Sequence, residues 1–355
     1  MAKRTNTAKW VESAHRWQIN VQHDGVRKTF TSAKPGRTGQ REANAKADAW
    51  LDEGLVSRKV KVCDAWAEYF ARAQKTTGIS NWRPIEGRWR TWIEPRIGKR
   101  RLESLTEQQV QAIIDDAFAA GRSRKTLQNL AGTLTAFFRF CRRSGWCTME
   151  PVLEIPDGAR KKEKTILQPT DFTKLMNADT TVYFGKNVPD NYVHYYRLAV
   201  LTGLRPGELL GLRREDVQND VIMVRRAINA YGEETRGKND NAVRSVPLSA
   251  LAAQEMEAQL QKTDDPDGWI FGRVQERYLL KRWRAFCKAN GITPCTLYEL
   301  RHTFVSIAQN LPEGQLRRLV GHSRSMDTYG VYAHAFGDQG AGDVQRLDNL
   351  FSGIG

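Results

Sequence analysis

Three short runs place side chains able to grip or attack a phosphate where a helix would present them. In TGLRPGELLGLRRED, residues 202–216, Gly203 permits a tight turn, Pro206 suits a first helical position, and the helix should end near Leu212. Arg205 then stands at a helix mouth, where backbone N–H groups and the helix dipole favour an anion, and its planar fork can hold two phosphate oxygens. Glu208, three residues on, can brace that guanidinium; a purely structural Arg–Glu pair at this spacing is the competing explanation. In TPCTLYELRHTFVSIAQ, residues 293–309, Thr296 and Glu299 have capping-box spacing, which fixes the helical phase. Tyr298 and Arg301 should share a face, with His302 next in sequence, while Leu300, Phe304 and Ile307 turn to the core. The third run, LRRLVGHSRSMDTYGVYAHAF at 316–336, puts Gly321 at a helix end, His322 just past it, and Tyr329 and Tyr332 on the next segment.

The elements that must carry these runs can be read from the rest of the chain. Its 355 residues leave room for two or three domains, and 55 Lys+Arg against 40 Asp+Glu, a net +15, suit a polyanionic partner. No apolar run approaches a membrane span or a secretory signal, so a soluble protein that stays in the cytoplasm is expected. The cysteines Cys63, Cys141, Cys147, Cys287 and Cys295 form no CxxC pair, and no His stands at zinc-finger spacing, so reduced structural thiols are expected and no metal. There is no Walker-type loop, and no cofactor is expected.

Alternation at Trp17, Ile19 and Val21, a break at Asp24-Gly25 and a run from Val26 to Phe30 predict a hairpin, followed by a helix over Arg41–Leu51. This module, residues 1–57, carries Arg16, Arg27 and Lys28, which could meet a DNA groove. Residues 58–160 read as all-helical, with helices at VCDAWAEYFARAQ, TEQQVQAIIDDAFAAG and SRKTLQNLAGTLTAFFRFCRRSG. In the last of these, Ser123 is a cap, Gly145 a stop, and Leu127, Leu130, Leu134, Phe137, Phe138 and Cys141 an apolar stripe that belongs in a core. The basic residues around that stripe, Arg122, Arg124, Lys125, Arg142 and Arg143, are DNA-binding candidates, because 19 Lys+Arg against 11 Asp+Glu give this stretch eight of the fifteen net charges. Residues 161–168 look like an extended linker. Residues 169–355 mix helices with a small sheet predicted from VIMVRRAIN at 221–229 and AVRSVPL at 242–248.

Taken in order, these segments resemble the catalytic domain of the tyrosine recombinase (phage integrase) family. The family's TGLR-x-x-E-x-x-x-L setting falls on Arg205, and its hairpin lysine, six residues before Arg-x-Val-Pro-Leu, falls on Lys238 because Arg244, Val246, Pro247 and Leu248 follow in place. Its His-x-x-Arg-His becomes Tyr298-x-x-Arg301-His302, its Leu-Gly-His-Ser becomes Val320-Gly321-His322-Ser323, and its Tyr-x-His becomes Tyr332-Ala333-His334. Tyr298 in place of the usual histidine is the one departure; a phenol can still donate a hydrogen bond. The resemblance covers about residues 165–340 and implies a multidomain, mainly α protein with small β elements: an N-terminal sheet-plus-helix module resembling an arm-binding domain, a helical core-binding (SAM-like) domain, and an α+β catalytic domain.

The resemblance further implies an enzyme that cuts and rejoins double-stranded DNA at attachment sites through Tyr332. Arg205 and Arg301 would clamp the phosphate, His322 would assist, and Lys238 would protonate the leaving oxygen. Glu208 and His302 would support them. It also implies a homotetramer on DNA, accessory bending or excision proteins, and a tail whose Val344, Leu347, Leu350 and Phe351 pack on a neighbouring protomer. A type IB topoisomerase, a chromosome-dimer-resolving recombinase and a non-catalytic DNA-binding regulator on the same fold are the rival readings.

Overall fold

A computed structural model describes residues 5–23, 26–54, 60–161, 164–236, 243–321 and 339–352. Lys238, His322, Tyr329, Tyr332 and His334 lie outside the described residues. The chain divides into two compact units, residues 1–162 and 163–355.

The first unit opens with an antiparallel sheet of β1 (Lys9–Val11), β2 (Arg16–His23) and β3 (Val26–Ser32), followed by helix α1 (Gly36–Gly54). Alternation along β2 sends Ile19 and Val21 into a small core with Ala8, Ala43, Ala47 and Leu51. β1 was not foreseen, since three residues are too few to show a period. It is held by pairing Trp10 against Trp17, whose rings meet edge-on at 5.7 Å. The helix also begins five residues ahead of the predicted Arg41, through a glycine-containing turn that reads as loop by propensity alone.

The helical part runs α2 (Val62–Thr76), α3 (Ile79–Arg88), a wide turn at Trp89–Ile93, α4 (Glu94–Ile97), α5 (Glu107–Ala119) and α6 (Arg124–Arg143). Thr106 and Ser123 cap α5 and α6 by accepting from backbone N–H groups three residues on. The predicted stripe of α6, Leu127 to Cys141, is buried throughout. It packs near Trp66, which stacks on Trp89 at 4.3 Å. α3 and α4 were missed because Pro84, Gly87 and Pro95 break the pattern; Pro95 sits in the first turn of α4, where its missing N–H costs nothing.

The second unit comprises α7 (Pro169–Asn177), β4 (Thr180–Tyr183), β5 (Lys186–Pro189), α8 (Val193–Thr202), α9 (Pro206–Leu210), β6 (Val217–Gln218), β7 (Val221–Val224), β8 (Ala227–Ile228), β9 (Glu234–Thr235), β10 (Arg244–Pro247), α10 (Ala250–Lys262), α11 (Glu276–Asn290), α12 (Leu297–Ile307), α13 (Glu313–Val320) and α14 (Gln339–Ser352). Every residue of α8 is buried, so this helix is the axle of the unit. Its buried Arg197 is compensated by Asp179, Glu255 and the carbonyls of Leu175 and Ala178.

Two sequence expectations change here. The run 221–229 is not one strand: β7 pairs with β6 and β10, while β8 leaves to pair with β9. Part of the expected linker is packed, because the Thr165 N–H bonds Glu299, the Leu167 N–H bonds Thr303, and Leu167 enters the core. In the single chain the tail helix α14 packs within its own unit. Leu347 and Phe351 are buried, Phe351 stacks on Phe172 at 6.1 Å, and the Asp348 carboxylate accepts the Ala250 N–H. An apolar stripe needs cover, and in a single chain its own core supplies it.

Candidate active site

The site is assembled on two helix ends. α8 stops at Gly203, whose left-handed φ of 64° turns the chain sharply. A Cβ here would lie 2.3 Å from the Phe304 ring, so the turn packs tightly on α12. Arg205 follows as the residue capping α9, with Pro206 in the first turn, as the spacing predicts. Glu208 closes this cap: one carboxylate oxygen accepts the Arg205 backbone N–H at 2.9 Å, and the other accepts Arg205 Nη1 at 2.6 Å.

α12 begins at the predicted capping box of Thr296 and Glu299. It places Leu300 and Phe304 in the core, with Ile307 partly buried against it. Arg301 and Tyr298 do not share an environment, although three residues separate them. Arg301 is only 2% exposed, whereas Tyr298 is 45% exposed and meets the His302 ring edge-on at 5.2 Å. The spacing gave the direction in which the two side chains leave the helix but not the depth at which each ends.

The second helix end is that of α13, closed by Gly321 at φ 63°. Its last carbonyls are taken by three arginines from distant parts of the unit. Arg244 Nε donates to Leu319 O at 2.9 Å, Arg301 Nη2 to Val320 O at 2.6 Å, and Arg205 Nη2 to Gly321 O at 2.9 Å. Cations belong at the negative end of a helix dipole, so each bond is also electrostatically favoured. Arg301 gives a further bond to Gly203 O at 2.8 Å, tying the two helix ends together. Arg244 grips both oxygens of Glu208, at 3.1 and 2.8 Å.

Charges packed this closely shift one another. Burial, followed by the Arg205 charge, pushes the Arg301 guanidinium down to about 10, which leaves it protonated at neutral pH. Burial acts to raise the Glu208 carboxyl, but the Arg244 and Arg205 guanidiniums overcome it and hold the group below the ordinary carboxylate value. Burial, with Lys164 and Arg301 nearby, lowers the His302 imidazole and keeps it neutral at pH 7. The outcome is a cluster of three guanidiniums and one carboxylate gathered at the paired helix ends.

Arg205, Glu208 and Arg301 are thus brought together, with Tyr298 and His302 on the same short helix as Arg301. His322 directly follows Gly321 in sequence; it, Lys238 and Tyr332 fall outside the described residues. Arg244 was noticed in the sequence only as a landmark for Lys238. No local signal marks its role, since its carbonyl partner is 75 residues away.

The candidate DNA-contacting residues are sorted by the structure. Arg16 and Arg27 share the outer sheet face with Gln18, Asn20 and Gln22, as the register of β2 on β3 requires. Lys28 does not: it pairs opposite Val21 on the helix side, with its amine 5.6 Å from the Phe30 ring and 5.9 Å from Trp50. Arg122 lies over Trp92, Arg124 faces Asp157 at 3.7 Å, and Arg142 pairs with Glu150 at 2.8 Å. Lys125 and Arg143 are exposed. Among the described residues no His/Cys/Asp/Glu group could hold a metal ion, and no helix is long and apolar enough to cross a membrane. All five cysteines are free thiols.

Residues 165–338, within this mostly helical unit with small sheets, carry the domain of the phage integrase family, whose tyrosine recombinase members are DNA strand-transferring enzymes. Among its relatives, a tyrosine recombinase XerC-like protein of Caldanaerobacter subterraneus is 23% identical over 99% of this chain and 100% of its own length. The ICEBs1 integrase of Bacillus subtilis is 22% identical over 71% of this chain and 73% of its own. Two solved structures share the fold. The Tn1549 transposon integrase in complex with a circular intermediate DNA has a TM-score of 0.65 at 20% identity, covering 81% of this chain and 99% of its own. A lambda integrase dimer bound to a COC′ core site gives 0.62 at 16% identity, covering 95% and 99%.

Proposed function

We infer that this chain is a site-specific DNA recombinase that integrates or excises a mobile element through a 3′-phosphotyrosine intermediate. The observation that carries this reading is the trio of arginines fixed to successive carbonyls Leu319, Val320 and Gly321, immediately before His322. A scissile phosphate needs charge on its two non-bridging oxygens, a nucleophile, and an acid for the departing 5′ oxygen. Arg205 and Arg301 supply the charge from guanidiniums whose direction is already set, so little reorganisation is left for the reaction itself. His322 donates to the phosphate, and the Tyr298 hydroxyl takes the hydrogen-bonding part usually given to a histidine. Tyr332 attacks phosphorus through its phenolic oxygen, its proton passing to water, while the bond to the 5′ oxygen breaks and Lys238 gives that oxygen a proton. The phosphodiester energy stays in the tyrosyl link, and a 5′ hydroxyl from a second duplex reverses the step.

The sheet module of residues 1–57 is assigned to arm-type sites through its outer face. Residues 58–160 are assigned to the core site through the basic surface of α6, so that one chain engages two DNA sites. Four copies on paired sites would then exchange strands, with bending or excision proteins as accessory partners, on DNA in the cytoplasm. Support for the assembly comes from the lambda integrase tetramer bound to a Holliday junction, which shares this fold at a TM-score of 0.58. The deciding experiment is Tyr332→Phe on a nicked suicide substrate: covalent capture should vanish while DNA binding persists. Retained capture would move the nucleophile to Tyr329. Relaxation of supercoils without any site requirement would turn the reading toward a type IB topoisomerase.

A further inference from the structure

We propose that Arg244 is a positioning residue of the strand-transfer site, holding the Glu208 carboxylate so that Arg205 keeps its free N–H groups for the phosphate. This rests on the reading of Arg205 as a phosphate ligand given above. Arg244 cannot itself be that ligand in the arrangement observed. Its Nε is committed to Leu319 O at 2.9 Å, its Nη1 and Nη2 to the two oxygens of Glu208 at 3.1 and 2.8 Å, and its side chain is 8% exposed. It also lies directly on the Gly321 backbone, where a Cβ would come within 2.9 Å of its Nη1.

The consequence follows from the geometry of a carboxylate. Glu208 is offered two forks, and a carboxylate can face only one of them squarely. The fork of Arg244 takes both oxygens, so Arg205 receives a single side-chain bond, through Nη1 at 2.6 Å. Without Arg244, the carboxylate is free to rotate into a two-point pair with Arg205, which would consume donors that the phosphate needs. The same loss would release Leu319 O, one of the three carbonyls bound by arginines at the end of α13. Arg244 also begins β10, whose register against β7 places it beside Val224, so the strand fixes where its guanidinium arrives.

Arg244→Lys tests this, because it keeps the charge beside Glu208 while a single ammonium cannot span Glu208 and Leu319 O together. Half-site DNA binding should stay within about twofold of the parent, while single-turnover covalent capture at saturating protein slows roughly 10- to 100-fold, the scale of a sub-ångström to one-ångström misplacement. Combined with Arg205→Lys, the two losses should not multiply, since both act at one guanidinium. Capture at the parental rate in Arg244→Lys, or losses that multiply in the double variant, would overturn the proposal. Should the lysine variant fail to fold, Arg244→Gln, which leaves Glu208 paired with Arg205, is judged on capture against binding by the same criteria. A parental rate in Arg205→Lys alone would sink the reading of the site and this inference with it. A slow Arg205→Lys beside a normal Arg244→Lys would remove only the positioning role.

Discussion

Arg301 in the second unit and Arg143 in the first are the same residue put to opposite uses. Arg301 is 2% exposed and gives two of its N–H groups to backbone carbonyls, whereas Arg143 ends α6 exposed to solvent. A buried guanidinium costs desolvation, and here that cost appears as a group pushed down to about 10. In return its direction is fixed before DNA arrives, which is what stabilising a reaction's charge requires. An exposed arginine has no such cost and no fixed direction; it attracts any phosphate backbone, and salt screens it. On the proposed function, the difference teaches that this chain separates the charge assigned to chemistry from the charge assigned to gathering DNA.

The contrast can be broken from either side. The largest effect is expected at the buried end: Arg301→Lys should slow covalent capture by about 10²–10³-fold, with half-site affinity changed only a few-fold. A matching drop in affinity would mean that Arg301 belongs with the gathering charges. At the exposed end, Lys125→Gln together with Arg143→Gln should weaken binding alike on cognate and unrelated DNA. The slope of log affinity against log salt should fall by about one for each phosphate no longer neutralised, and the cleavage rate at saturation should hold. A rate loss at saturation would erase the distinction from that direction.

The smallest expected effect concerns His302, whose imidazole is held below its ordinary value by burial, Lys164 and Arg301. The unfolded chain takes up this proton first as pH falls through about 6.5. Stability from this group is therefore complete above that pH and declines as pH drops toward the lowered value. His302→Gln should flatten that part of the stability curve, measured by urea denaturation at several pH values; an unchanged slope would show that the group does not titrate as described.

Legibility followed the range over which each signal acts. The caps of Ser123 and Thr296, and the Arg205–Glu208 brace, depend on residues three apart, and spacing exposed all of them. The α6 stripe was equally plain, since one period runs the length of the helix. Helices α3 and α4 were hidden by Pro84, Gly87 and Pro95, which lower propensity although the stack of Trp66 on Trp89 holds the segment. β7 and β8 look continuous in sequence, and only their different partners separate them. Lys28 was grouped with Arg27, although one residue along a strand moves a side chain to the other face.

Residue types and their order determined, without any knowledge of the fold, which groups could act: guanidiniums at Arg205 and Arg301, an imidazole after a glycine, a basic chain divided into modules. Those are properties of single positions and short spacings. Tertiary structure alone decided that Arg301 lies deep while Tyr298 lies at the surface, that α14 rests on its own unit, and that Arg244 completes the cluster. The reason is that an arginine's partner here is a carbonyl. Every residue carries one, so the sequence cannot mark which of them a distant guanidinium will meet until the helix ends have been packed together.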